Sequence, residues 1–210
     1  MKNNKIRRFY STAANVFARK GYHETTVDEI AQAMGIAKGT IYYNFESKED
    51  LYMSVIQEGV NRFKQQLQQG ADEGGTAQER IINLISCQLN FFENEPALVS
   101  LFLTELFGSD PLRSNLTSQM LSDCLQIFRS CIKSGVEDGT LCCIDPETAT
   151  SSLFGMIVIS ALRCTFNQLP IPIDNLSKDI EKIFFQGTCP RKDGGITSRD
   201  VPLPEDTNGS

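Results

Sequence analysis

Few side chains in this 210-residue chain are spaced for covalent chemistry. The only histidine, His23, follows Gly21-Tyr22 in a turn and is expected to face water. No nucleophile–base pair, no Gly-rich phosphate loop and no zinc-ligand spacing is visible. The seven cysteines, at 87, 124, 131, 142, 143, 164 and 189, include no C-x-x-C pair. Cys87, Cys124, Cys131 and Cys164 sit inside apolar helical patterns and read as reduced core thiols. Cys142-Cys143, adjacent in a turn, reads as an inert loop pair rather than a thiol sensor or soft-metal site. The expectation is a non-enzyme with no catalytic residue, no metal and no cofactor.

Chemistry of recognition is better represented. Ala37-Lys38-Gly39-Thr40 opens a short predicted helix, over about 38–44, that continues through Ile41-Tyr42-Tyr43-Asn44. Lys38 can donate to guanine O6 or N7. Gly39 permits close backbone approach, and the Thr40 hydroxyl or methyl can touch a base or a phosphate. Tyr42 and Tyr43 offer hydroxyls to phosphate oxygens. Lys48, at the start of the next helix, adds a phosphate contact near a positive helix N-terminus. Lys2, Lys5, Arg7 and Arg8 would lie along the flanking backbone.

Positioning these groups requires two short helices and a sharp turn. Val27, Ile30, Ala31 and Met34 recur at helical spacing, and Thr26 with Glu29 forms a T-x-x-E capping box before them. Ala31 is small enough for a close crossing, Gly35 accepts the positive φ of the turn, and Ile36 plugs the corner. Ile41 and Phe45 face the same core. This is the construction of a helix-turn-helix between Thr26 and Phe45, whose second helix enters a major groove. The same capped pair occurs in helical proteins that bind no DNA, and there Lys38 and Lys48 would be solvated surface charge.

The remaining pattern is helical throughout, giving an all-α chain of about nine helices. A first amphipathic helix runs from about 4 to 20, with Gly21 as a left-handed C-cap. Ser47 and Asp50 open a long fourth helix, expected to end in the polar, Gly-rich segment Gln68–Gly75. Thr76 with Glu79, Pro96, Gly108–Pro111, Asp145-Pro146 and Asp174 mark further boundaries. The helix after Pro96 is apolar nearly all round and is expected to be central. The implied domains are a helix-turn-helix unit over 1–47, a helical ligand-binding and dimerisation unit over 48–188, and a disordered tail over 189–210.

Charge follows the same division. The formal net charge is −6, yet residues 1–50 carry +2 and residues 51–210 carry −8. A basic module on an acidic body suits contact with a polyanion. No apolar run approaches the ~20 residues that span a bilayer, and no apolar segment follows the basic N-terminus, so neither membrane nor secretion is indicated. A cytoplasmic location is expected.

Residues 9–52 resemble the DNA-binding domain of the tetracycline-repressor (TetR) family of bacterial regulators. The resemblance rests on Phe17, Gly21-Tyr22, Thr25-Thr26-Val27, Ile30-Ala31, Met34-Gly35-Ile36, Lys38-Gly39-Thr40-Ile41-Tyr42-Tyr43, Phe45, Lys48-Glu49 and Leu51, over roughly a fifth of the chain. Ala37, where the family often carries serine, and Met34, where it often carries alanine, depart from it. The resemblance implies a transcriptional regulator, more often a repressor, that binds palindromic operator DNA as a homodimer through its last two helices, about 146–187. Ser151, Ser152, Gly155, Ser160 and Ala161 would allow close helix approach there.

It also implies a small-molecule effector. A pocket among helices four to eight would draw its wall from some of Phe63, Phe91, Phe102, Phe128 and Phe154, hence an apolar or aromatic molecule. Glu105 and Arg163 are charges within apolar helices that could pair with each other, line that pocket or meet solvent. The competing reading is a helical protein-binding adaptor that has lost DNA binding.

Overall fold

The computed structural model describes residues 2–142, 145–167 and 169–188, with the side chains of 2–4, 166 and 188 left out. The tail expected over 189–210, and with it Cys189, lies outside the described residues, as does Cys143. Nine helices are present among the described residues: α1 Lys2–Glu24, α2 Val27–Met34, α3 Lys38–Asn44, α4 Lys48–Glu73, α5 Ala77–Asn94, α6 Pro96–Leu106, α7 Pro111–Glu137, α8 Pro146–Phe166 and α9 Ile173–Thr188. The fold is all-α, as the periodicities predict.

Local chemistry sets the boundaries. Thr26 and Thr76 each complete a reciprocal capping box with a glutamate three residues on. Asp110 and Asp145 cap α7 and α8 ahead of Pro111 and Pro146, whose fixed φ suits a first helical turn. Gly21 breaks α1 with φ 82° and ψ 166°. Its φ is positive as expected, but its ψ is extended rather than left-handed helical, so the chain kinks instead of closing in a C-cap. α4 runs through Gly70 to Glu73 and ends within the expected Gly-rich segment. Gly70 is a packing residue there: a Cβ on it would stand 2.6 Å from Cys87 Sγ. The glycine lets α5 cross closely, and Asn83 Nδ2 donates to the Gly70 carbonyl at 3.0 Å.

α4 is the axis joining the two halves. Near its start, Leu51, Tyr52 and Val55 are buried and share a core with Ala13, Ala14 and Phe17 of α1 and Ile30 and Ile41 of the short helices. Further along, Ile56, Val60, Phe63 and Leu67 are buried with residues of α5, α6 and α7. α6 is less enclosed than its composition suggests. Leu98, Val99 and Leu101 are buried, Phe102 and Leu103 are partly so, and Phe107 beyond its end is exposed.

α8 and α9 close the far side. The stretch Pro146–Thr165, of mean hydropathy 1.2, is long and apolar enough on those measures alone to cross a bilayer. Its inner face (Ala149, Leu153, Ile157, Ala161, Cys164) is buried, whereas Ser151, Ser152, Arg163 and Thr165 meet solvent. Ile159 on α8 and Ile183 on α9 are 67% and 62% exposed, large apolar side chains that the described residues leave uncovered.

Candidate nucleic-acid interface

α2, the turn and α3 carry the expected geometry. Gly35 sits in the left-handed region at φ 67°, ψ 34°, and its N–H donates to the Gln32 carbonyl at 3.1 Å. The Ile36 N–H returns to the Ala31 carbonyl at 3.0 Å. Ile41 is the only buried residue of α3 and locks it to the core, while Phe45 beyond it stacks on Phe9 at 5.7 Å. Lys38, Gly39, Thr40, Tyr42, Tyr43 and Asn44 all face outward, and Tyr43 is 89% exposed. A recognition helix needs this one-sided anchoring, with the opposite face free to enter a groove.

Within that face the groups are ordered before any DNA arrives. Lys38 Nζ pairs with Asp28 Oδ2 at 2.7 Å and lies 5.9 Å from the Tyr42 ring centroid. The hydrogen bond to Asp28 raises the lysine pKa above its ordinary value. Both partners are exposed, so the pair is screened and exchangeable for a phosphate or base edge. At Gly39 an added Cβ would meet nothing within 4 Å, so no neighbour in the chain requires the glycine. Ala37 supplies no side-chain cap to α3. Thr26 spends its hydroxyl and N–H on the capping box with Glu29, at 3.3 and 3.0 Å.

Lys48 differs from its expected role. Its ammonium donates to the carbonyls of Tyr22 at 2.9 Å, His23 at 3.2 Å and Thr25 at 3.0 Å. It also sits 4.5 Å from the Tyr22 ring centroid. All three donors are committed to the chain leaving the Gly21 kink, so Lys48 is a clamp on the helix-turn-helix rather than a free phosphate ligand.

A second feature lies in the body. Phe63, Phe91, Phe102 and Phe154 line a cavity of about 40 Å³ with Gly59 and Cys124. Its wall is essentially apolar. Burial pushes the Cys124 thiol up to about 12, so it stays protonated and serves as wall. The site is far smaller than the ~300 Å³ lower range of ligand pockets and is nearly closed in this conformation. Phe128 is not in its lining: it is fully buried behind Phe154, ring to ring at 5.7 Å. Arg163 also stands elsewhere, exposed on α8.

Glu105 likewise leaves the pocket, for the junction between the two halves. It accepts a hydrogen bond from the Tyr52 hydroxyl at 2.7 Å, and Arg113 Nε stands 3.2 Å from its other oxygen. The Arg113 N–H is misaligned for a hydrogen bond, so the attraction is ionic. The guanidinium lies 4.8 Å from the Tyr22 ring centroid, and Tyr22 stands 4.9 Å from the Tyr52 ring. Burial first, and then the bond to Glu105, push the Tyr52 phenol well above its ordinary pKa. Four helices meet here, at α1, α4, α6 and α7.

Residues 9–55 match the family described as "Bacterial regulatory proteins, tetR family", and residues 74–162 match "Tetracyclin repressor-like, C-terminal domain". The chain belongs to the tetracycline-repressor family. It is a DNA-binding transcriptional regulator. Among its relatives is the fatty acid metabolism regulator protein of Bacillus subtilis (strain 168), 26% identical over 187 residues, which cover 89% of this chain and 96% of that one. The regulator RutR of Escherichia coli O157:H7 is 26% identical over 137 residues, or 65% of this chain and 64% of the other. The crystal structure of FadR from Bacillus subtilis in complex with stearoyl-CoA superposes with a TM-score of 0.78 at 25% identity, covering 87% of this chain and 98% of that one. The fatty acid degradation regulator FadR from Bacillus halodurans shares the fold, with a TM-score of 0.79 at 24% identity over 87% and 95% of the two chains.

In this TetR-family chain the sequence pattern anticipates the outward-facing α3 and four of the five phenylalanines it names for a pocket wall. It misses Tyr52 and Arg113 as partners of Glu105, and Tyr22 packed against both of them. Tyr52 and Arg113 each sit inside a helix whose pattern is satisfied without them, and their partner is 53 residues from Tyr52. The available signal was Glu105 itself, a carboxylate within an apolar helix.

Proposed function

We propose that this chain is a repressor that binds a palindromic operator as a homodimer, with α3 of each protomer in successive major grooves, and lets go when an acyl chain occupies the cavity. The observation that carries the DNA reading is the one-sided burial of α3. Ile41 alone is held by the core, and Lys38, Gly39, Thr40, Tyr42 and Tyr43 are left outward. Lys38 exchanges Asp28 for a base edge or phosphate, Thr40 and Gly39 approach the base pairs, and the tyrosine hydroxyls meet phosphates. Thr26 and Ala37 lie at the two helix N-termini beside them. The two exposed isoleucines on α8 and α9 supply the face for a second copy, since one helix-turn-helix reads only a half-site.

The effector reading rests on the apolar wall formed by Phe63, Phe91, Phe102 and Phe154, together with relatives named for fatty acid metabolism and one solved with stearoyl-CoA. An acyl chain offers only apolar surface, which this wall accepts without an unpaired polar group. Because the cavity is almost closed, the ligand must part α4 from α6 and α7, and the Tyr52–Glu105–Arg113 junction would pass that displacement to α1 and the head. A ligand shifts operator affinity only by its differential affinity for the two states.

Selection of bound duplexes from a random pool tests the first half. An inverted repeat is expected, and an unenriched pool overturns the reading. Titration with stearoyl-CoA tests the second: operator release is expected, and unchanged DNA binding at saturating ligand refutes it.

A further inference from the structure

The polar group in this core that no helix end, ion pair or turn explains is Gln88 on α5. It has no exposed surface, and among the described residues neither its Nε2 nor its Oε1 has a hydrogen-bond partner. An amide left this way in an apolar interior forfeits what water would have given it, so a native chain retains one for a reason. Its position supplies the reason. Phe91 and Phe92, three and four residues further along the same helix, both line the apolar cavity. Side chains at that spacing share a helix face, and they lean toward the helix N-terminus, so both rings tilt back over the turn that carries Gln88.

The facing helix agrees. Arg80, near the start of α5, donates to Ser134, near the end of α7, while Phe91 and Cys124 share the cavity wall. The two helices therefore run antiparallel, which puts Gln88 level with the turn of Ile127 and Phe128 and one turn along α5 from the cavity wall.

We propose that Gln88 is a specificity residue of the ligand site, and that the preferred ligand carries a hydroxyl on its otherwise apolar chain, which donates to Gln88 Oε1 and accepts from Nε2. The assignment rests on the acyl-chain reading given above. It follows from the chemistry of the two orphan atoms. A carbonyl would satisfy only the donor. A carboxylate would enter a wall that holds no cation. A hydroxyl answers both atoms from a single oxygen. The cavity is closed to the amide now, and a chain long enough to part the phenylalanines would uncover it.

The test compares stearoyl-CoA with hydroxystearoyl-CoA isomers bearing the hydroxyl near the thioester, in mid-chain or at the terminal carbon, on the full chain and on Gln88→Leu. One isomer is expected to bind the wild-type protein about tenfold more tightly than stearoyl-CoA, the scale of one buried hydrogen bond. In Gln88→Leu that preference should vanish while stearoyl-CoA binds at least as well. The variant should also melt higher than the wild type in the absence of ligand, because it removes an unpartnered amide. Gln88→Met serves if leucine does not pack. Equal affinity for plain and hydroxylated chains in the wild type overturns the assignment and leaves the acyl reading standing. Failure of every probe to bind overturns both.

Discussion

Two lysines ten residues apart in the sequence divide the work of the head. Lys38 holds Asp28 through one exposed and replaceable contact, whereas Lys48 holds three backbone carbonyls. Lys38→Met is therefore expected to weaken operator binding by about tenfold or more, and to reduce the salt dependence of that binding by about one contact, with the melting temperature unchanged. Lys48→Met should do the reverse, lowering the melting temperature while leaving the salt slope of the residual binding intact. Duplex titrations across a salt series, alongside thermal melts, separate the two. Glu29 makes a prediction in pH. The hydrogen bond from Lys20, and then the Thr26 N–H, lower its pKa from an ordinary 4.5 to about 2. A carboxylate whose folded pKa is depressed stabilises the fold above its unfolded value. That contribution is lost as the pH falls from about 4.5 toward 2. The stability advantage of the wild type over Glu29→Gln, read by melting at a series of pH values, should shrink through that window and be gone below it.

At the scale of helices, the decisive contact is the one between α4, α6 and α7 at Glu105. Removing its charge leaves Asp110, at 3.4 Å, as the carboxylate partner of Arg113 among the described residues. Glu105→Gln keeps an acceptor for Tyr52 but forfeits the buried ion pair, at a cost of about 3 kcal/mol. Because Glu105 lies outside the cavity, stearoyl-CoA affinity in the absence of DNA should stay within about twofold of the wild type. The release of operator by saturating stearoyl-CoA should be blunted. Equal release in both proteins would show that the signal travels by another route, such as Arg7–Glu95–Arg62, which also ties α1 to α4. Local signals made much of this framework legible. Thr26 with Glu29, Thr76 with Glu79 and the Asp–Pro starts of α7 and α8 fix helix ends from a few neighbouring residues. Gly70 is ambiguous in sequence because the same residue type breaks a helix or admits a neighbour, and only the distant Cys87 decides which. Lys48, Phe128 and Arg163 diverged for the same reason. A cation or a ring declares what it can bind, but its partner is chosen by tertiary packing.

The whole molecule sets two electrostatic demands against each other. In the proposed homodimer an acidic body of −8 has to meet a second copy of itself, while a head of +2 has to meet a polyanion. Like-charged bodies repel, and salt screens the repulsion beyond about 10 Å. The proposed dimer face would therefore gain its energy from apolar contact, and Ile159 and Ile183 are the large apolar side chains that α8 and α9 leave exposed for it. Salt should then act in opposite directions, strengthening or sparing self-association while it weakens operator binding by counterion release. Ile159→Arg places a charge in that face without touching the core, since the side chain is 67% exposed. Sedimentation should show a folded monomer with an unchanged circular dichroism spectrum. Operator affinity should fall by about a hundredfold or more, because the second half-site no longer benefits from a tethered partner. Binding to an isolated half-site should be unaltered. A variant that still sediments as a dimer would place the interface elsewhere, and an operator affinity that survives monomerisation would mean that a single α3 suffices.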